Sequence, residues 1–309
     1  MIRAENLTKR FGGATAVSGL SFDVHEGEIF GIVGPDGAGK STLLRLIAGI
    51  LVPDVGSVEI NGVNVQRNPY LIKENLAYMP QRFGLYEDLS VEENIFFFGR
   101  LFGVSSREIR SRLPRLYEFS RLAPFRERLA GKLSGGMKQK LGLACCLVHR
   151  PGLILLDEPT NGVDPVSRRE FWKILYGLLS EGVTIVVSTA YLDEAERCNR
   201  VALMYNGGFV VTGSPGEIKN GMGKTLIEIT TDKVWEAESA LRKEPEFSRV
   251  IREGTALRVF VERRLEGERR LRSLLKKHGI ALRSVHEKTP TLENSFVEII
   301  AEGEKNEGA

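Results

Sequence analysis

The stretch Gly34-Pro35-Asp36-Gly37-Ala38-Gly39-Lys40-Ser41 fits Gly-x-x-x-x-Gly-Lys-Ser/Thr at every fixed position. This pattern suits one task, the cradling of phosphates. Glycines let the main chain curl until successive N–H groups point at phosphate oxygens, and a following helix adds partial positive charge at its first turn. Lys40 is placed to reach the β- and γ-phosphates of a nucleoside triphosphate, and Ser41 to hold Mg2+. Thr42 belongs with them as the next residue of that turn. Asp36 is odd, because a carboxylate repels phosphate. It is expected to point outward or to cap a neighbouring turn.

Two further segments carry chemistry. Leu153-Ile154-Leu155-Leu156-Asp157-Glu158 reads as an apolar strand ending in two carboxylates. At a strand end Asp157 can hold Mg2+ through water, while Glu158 can orient or deprotonate an attacking water. Leu133-Ser134-Gly135-Gly136-Met137 precedes an apolar helix, so its small residues and helix start offer a second anion site.

These residues need elements to hold them. Glu28 to Val33 reads as a buried strand and Lys40 to Ile50 as a helix. Leu153 to Leu156 and Val183 to Ser188 are continuous apolar runs, as strands covered on both faces require. Asn61-Gly62 between Ser57–Ile60 and Val63–Val65 signals a hairpin. Strand–helix alternation of this kind predicts an α/β fold with a mainly parallel sheet, carrying a helical insertion over about 87–140. Residues 223–309 hold 33 charged residues in 87, against 50 in the first 222. We therefore place a domain boundary at the Gly-rich joint Asn220-Gly221-Met222-Gly223. The tail reads strand, helix, strand, helix, strand, a small α+β domain over 223–309.

Composition narrows the class. Hydrophobic residues at 42% and charged residues at 27% exclude a disordered, collagenous or disulfide-stapled chain. A net charge of +3 gives no footing for nucleic acid or anionic lipid. Cys145, Cys146 and Cys198 lack zinc spacing and read as reduced core thiols. No apolar run approaches the roughly 18 to 20 residues of a membrane helix, and the first residues lack the apolar stretch of a signal peptide. The chain is expected neither to span nor to cross a membrane.

With the phosphate loop, the Ser134-Gly135-Gly136 segment and Asp157-Glu158 in this order, residues 1–222 resemble the ATP-binding cassette (ABC) proteins. The resemblance implies a P-loop NTPase fold: a RecA-like core with an antiparallel β subdomain and the helical insertion. It implies ATP and Mg2+ as ligands, with Glu158 as the catalytic base and Ser41, Gln81 and Asp157 around the metal. Phe11 matches the aromatic that stacks on adenine. Gln81, in Tyr78-Met79-Pro80-Gln81, matches the glutamine that contacts Mg2+ and senses the membrane subunit. Ser134, Gly135 and Gly136 match the segment that touches ATP held by a second cassette, and Asp164 the aspartate that communicates across that dimer. The chain departs from the family at Met137, where a glutamine is usual, and at Ala190, where a switch histidine belongs. Alanine has no side-chain donor, so it can neither hold the γ-phosphate nor help position Glu158.

The implied function is ATP-driven dimerisation and hydrolysis powering integral membrane subunits on other chains. The cassette would sit on the cytoplasmic face of the inner membrane. Segments such as Thr189 to Cys198 and the C-terminal extension resemble the multidrug-efflux type of exporter. The alternatives are a soluble cassette ATPase not coupled to transport, or a regulatory cassette that hydrolyses weakly. The first usually carries two cassettes, zinc knuckles or coiled coils, none of which is read here. The second draws on Ala190.

Overall fold

The computed structural model describes residues 1–221, 223–247 and 249–307, with 245 and 301–307 described by their backbone alone. The chain opens with β1 (Ile2–Phe11) and β2 (Ala14–Val24), paired antiparallel and buried on one face. β3 (Ile29–Val33) is buried at every residue and runs into the phosphate loop and α1 (Lys40–Ile47). The helix stops short of the predicted Ile50 because Gly49 turns left-handed at φ 68°, and Ile50 N–H bonds back to Arg45 O at 2.9 Å. β4 (Val55–Ile60) and β5 (Val63–Asn64) form the hairpin signalled by Asn61-Gly62, both of which take positive φ. β4 pairs with β1, giving an antiparallel sheet of order β2-β1-β4-β5.

After α2 (Pro69–Lys73) and β6 (Leu76–Met79) come three helices, α3 (Val91–Leu101), α4 (Ser106–Ser120) and α5 (Gly135–Leu147). α3 and α4 each begin with a capping box, Ser90 with Glu93 and Ser105 with Glu108. α5 is buried along most of its length. β7 (Leu153–Asp157), α6 (Pro165–Ser180), β8 (Thr184–Thr189), α7 (Leu192–Ala195), β9 (Arg200–Tyr205) and β10 (Gly208–Gly213) complete this part. The main sheet runs β10-β9-β3-β8-β7-β6, parallel except for β10. α1 packs on β7 and β8, closing a core that includes Phe30, Leu43, Leu46, Leu155 and Val186.

The chain divides into two compact units between Ser214 and Pro215, upstream of the joint at 220–223 where charge density changes. α8 (Pro215–Gly221) explains the difference, since it packs on the last helix of the second unit. The residue before a proline leaves helical space, which makes Ser214-Pro215 a natural break.

The second unit continues with β11 (Thr225–Thr231), α9 (Val234–Leu241), β12 (Val250–Glu253), β13 (Ala256–Val261), α10 (Arg264–Lys277), β14 (Leu282–Lys288) and α11 (Leu292–Glu307). Its antiparallel sheet has the order β12-β13-β11-β14, the arrangement of a ferredoxin-like βαββαβ unit. Ile227, Ile229, Leu257 and Val259 from the sheet meet Ala237, Leu241, Leu271 and Leu275 from α9 and α10 in a separate core. β12 was absent from the predicted strands, being four residues long with a mostly uncovered flank.

Candidate functional site

Parallel pairing sets the carboxyl ends of β3, β7 and β8 side by side, with Val33 opposite Thr189 and Asp157 opposite Ser188. Open α/β sheets hold their ligands at such strand ends. The loop leaving β3 is tightly built. A Cβ on Gly34 would fall 2.1 Å from Met204 O, and one on Gly39, at φ 107°, 2.1 Å from Ala16 O. Gly37 is also left-handed, and Ala38 is buried with its N–H on Pro35 O at 3.2 Å. Lys40 is 4% exposed. Its Nζ donates to Gly34 O at 2.9 Å and Pro35 O at 3.0 Å, and lies 3.1 Å from Glu158 Oε1. The Asp36 carboxylate stands 3.9 Å from Nζ with its side chain 93% exposed, turned to solvent. Ser41 and Thr42 follow on α1, each partly covered.

Asp157 and Glu158 are both buried, which ionised groups tolerate only with partners. Asp157 Oδ1 accepts from Ser41 Oγ and from Ser188 Oγ, each at 2.8 Å, and Oδ2 accepts from Tyr78 OH at 3.2 Å. Burial first, then the Asp157 charge, pushes the Tyr78 hydroxyl up to about 12 against the opposing Arg45, so it stays a neutral donor. Glu158 sits at φ 48°, a strained value for a residue with a Cβ. Its N–H donates to Ser188 Oγ at 3.0 Å and to Ser188 O at 3.1 Å, which fixes the bend. Glu158 Oε2 accepts from Gln81 Nε2 at 2.8 Å and from Asn161 Nδ2 at 3.1 Å.

The structure thus joins Lys40, Ser41, Gln81, Asp157 and Glu158 in one hydrogen-bonded cluster. Among the described residues, Phe11, Ser134, Gly135, Gly136 and Asp164 make no hydrogen bond to it. Phe11 ends β1 half exposed, with Lys9 Nζ 5.6 Å from its ring centre. Ser134 caps α5 through Met137 N–H at 3.4 Å, and Asp164 caps α6 by accepting from Val166 N–H at 3.0 Å and Ser167 N–H at 2.9 Å. The hydrogen bonds from Ser167 and Val166 hold the Asp164 carboxyl below its usual range. A Cβ on Gly136 would fall 2.6 Å from Ser167 Cβ, so the two helix starts press together and carry Ser134 and Asp164 on neighbouring turns. Ala190 lines a cavity of 210 Å³ with Asp36, Glu158 and Asn161.

Sequence reasoning missed Tyr78, Ser188 and Asn161. Ser188 left a trace, as a hydroxyl closing an otherwise apolar run, and Tyr78 stood three residues before Gln81 with no role assigned.

The family model described as ABC transporter matches residues 17–161, and that described as ATP-binding protein DrrA1-3-like, C-terminal domain, matches residues 213–300. A Nod factor export ATP-binding protein I from a Rhizobium species is 41% identical over 76% of this chain and 78% of its own length. The chain belongs to the ABC transporter family. A "Probable multidrug ABC transporter ATP-binding protein" of Escherichia coli is also 41% identical, over 97% of this chain. This cassette spans about half, 52%, of that relative's length. Among solved structures, an ATP-binding subunit of an ABC transporter superposes with a TM-score of 0.65 at 30% identity, covering 72% of this chain and 93% of that one. An ATP-binding cassette solved as a dimer with ADP and Pi after hydrolysis gives 0.62 at 26% identity, covering 69% and 98%. The main unit is therefore a P-loop NTPase cassette.

Proposed function

We infer that this chain binds and hydrolyses ATP as the nucleotide-binding subunit of an ABC exporter of the multidrug-efflux type. Two cassettes close on ATP, and hydrolysis reopens them to drive membrane subunits on other chains. The reading rests above all on one observation, the convergence of Lys40, Ser41, Asp157 and Glu158 at the strand ends. Asp157 and Ser41 present oxygen donors 2.8 Å apart, and the Gln81 side chain reaches the neighbouring Glu158. That all-oxygen set of carboxylate and hydroxyl suits a hard cation, and Asp157, Ser41 and Gln81 would hold Mg2+. Mg2+ would neutralise charge on the phosphates when bound.

The chain's own groups do the rest. Loop N–H groups and Lys40 bind the phosphates, and Phe11 offers a face for the adenine. Glu158 orients a water and takes its proton as the water oxygen bonds to the γ-phosphorus. The bond from that phosphorus to the bridging oxygen breaks, and ADP leaves with the electron pair. Ser134, Gly135 and Gly136 at the start of α5, with Asp164 beside them, serve the ATP of the partner cassette. The relatives named above for export, and a neighbour solved as a dimer, support this assignment.

A groove on the insertion suits the membrane partner. It measures 1100 Å³ and mixes exposed Phe97 and Leu101 with Glu92, Arg100 and Arg110, as an amphipathic segment would need. Phe83, two residues from Gln81, packs on Phe98 of α3 with ring centres 4.9 Å apart, and Phe98 in turn meets the groove residue Phe97 at 5.4 Å. Among the described residues no helix is long and apolar enough to cross a membrane. We place the cassette at the cytoplasmic face, docked on such a partner. Ala190 favours a second reading, a regulatory cassette with slow turnover; the donors gathered on Glu158 weigh against it.

Equilibrium dialysis with Mg-ATP and a turnover assay test the reading. The full chain takes up nucleotide, and Lys40→Ala does not. Glu158→Gln keeps the uptake but loses about 100-fold or more in turnover. Uptake by Lys40→Ala equal to that of the unaltered chain would refute the site.

A further inference from the structure

Ala190 and Glu158 line one cavity, and alanine brings no donor to it. The next residue reaches the same carboxylate by another route. Tyr191 OH donates to Asn161 Oδ1 at 3.5 Å, and Asn161 Nδ2 donates to Glu158 Oε2 at 3.1 Å. The order matters chemically. A carboxamide has one acceptor and one donor end, so with the NH2 on the carboxylate the Oδ1 end is left facing the Tyr191 hydroxyl. Asn161 N–H also bonds to Glu158 O at 3.1 Å, which holds the asparagine over the residue it serves.

Tyr191 is itself fixed. Its ring carries the Arg168 guanidinium 4.2 Å from the ring centre, and Arg168 Nε lies 3.4 Å from Glu194 Oε1. Glu194 is fully buried. It accepts from Thr160 Oγ1 at 2.5 Å and from Thr189 Oγ1 at 2.9 Å, while Thr189 Oγ1 accepts Tyr191 N–H at 3.0 Å. A buried carboxylate is costly unless donors surround it. Here those donors come from the turn after Glu158 and from the end of β8, so one anion locks the two turns that carry Asn161 and Tyr191.

We propose that Tyr191, acting through Asn161, is a positioning residue that holds Glu158 for hydrolysis in place of the side chain missing at Ala190. The proposal rests on Glu158 being the proton acceptor. Stacking under Arg168 needs only an aromatic ring, whereas the link to Asn161 needs the hydroxyl; Tyr191→Phe therefore separates packing from positioning.

The test is steady-state ATP turnover by the full chain with Mg2+, alongside nucleotide uptake by dialysis. Tyr191→Phe is expected to lower kcat about tenfold, or about 1.4 kcal/mol of barrier, with KM and uptake unchanged. Asn161→Ala is expected to match it, and the double variant to fall no further, because both break one chain of bonds. Adding Ala190→His to Tyr191→Phe is expected to recover most of the loss. An unchanged kcat in Tyr191→Phe, additive losses in the double variant, or no recovery with histidine each overturn the proposal. Glu158→Gln separates the layers. If it is inactive while Tyr191→Phe is unaffected, positioning alone fails; if it turns over normally, the role of Glu158 fails and takes this proposal with it.

Discussion

Ser188 shows how much one hydroxyl can organise. Its Oγ donates to Asp157 and accepts the N–H of Glu158, tying the end of β8 to both carboxylates. Removing one member of a buried network exposes the desolvation cost of the other. Ser188→Ala is expected to lower stability by about 1–3 kcal/mol and to raise KM for Mg-ATP. A urea midpoint and KM both unchanged would contradict this role. The cysteines make a plainer case. All three are buried free thiols, and burial pushes Cys146 up to about 12 and lifts Cys145 and Cys198 as well. Little thiolate forms near neutral pH, so a thiol reagent is expected to label none in the native chain and all three in denaturant. At this scale the sequence was legible where a residue type has one job at one spacing, as with Lys40 and Ser41. It was silent on Tyr78 and Tyr191, whose hydroxyls meet Asp157 and Asn161 only through the register of the sheet, and on Asn161, whose reach to Glu158 depends on the bend of their shared turn.

Elements were easier to read than contacts. Runs buried on both faces announced β3, β7 and β8, and Asn61-Gly62 announced its hairpin, because each pattern has a single structural solution. β12 escaped, since four residues with little covered surface leave no period to detect. The capping box of α3 lends itself to a direct trial. Ser90 Oγ accepts Glu93 N–H at 3.2 Å, and Ser90→Ala is expected to cost about 1 kcal/mol, read as a lower thermal midpoint without loss of nucleotide uptake. In the second unit, burial raises the Glu298 carboxyl, but Lys224 and Arg249 outweigh it and hold the group below the usual carboxylate range. Lys224 Nζ is 2.6 Å from Oε1 and Arg249 Nη1 3.1 Å from Oε2. A depressed carboxyl stabilises the fold above its unfolded value, and that gain is lost as pH falls through the folded one. Acidification below about pH 5 is expected to weaken this unit, and Glu298→Gln to flatten the dependence. A variant whose pH profile overlays the parent would exclude Glu298 as the cause.

The molecule comprises two units with separate cores. Separate cores are expected to unfold separately, and a ligand stabilises only the unit that binds it. Calorimetry is expected to show two transitions, with ATP at 100 times its Kd adding about 2.7 kcal/mol to the cassette and nothing to the C-terminal unit. A single transition that shifts as a whole would show the units to be coupled. The boundary at Ser214 was blurred in the sequence because charge density changes only after α8, whereas packing partners decide where a unit begins. The ring of oxygens around Lys40 carries a last consequence. Two carbonyls and Glu158 already satisfy that ammonium, so an entering anion must outcompete a carboxylate within 3.1 Å. If the proposed nucleotide site holds, a triphosphate with its base and sugar is expected to displace Glu158 from Lys40 more readily than a lone tetrahedral oxyanion does.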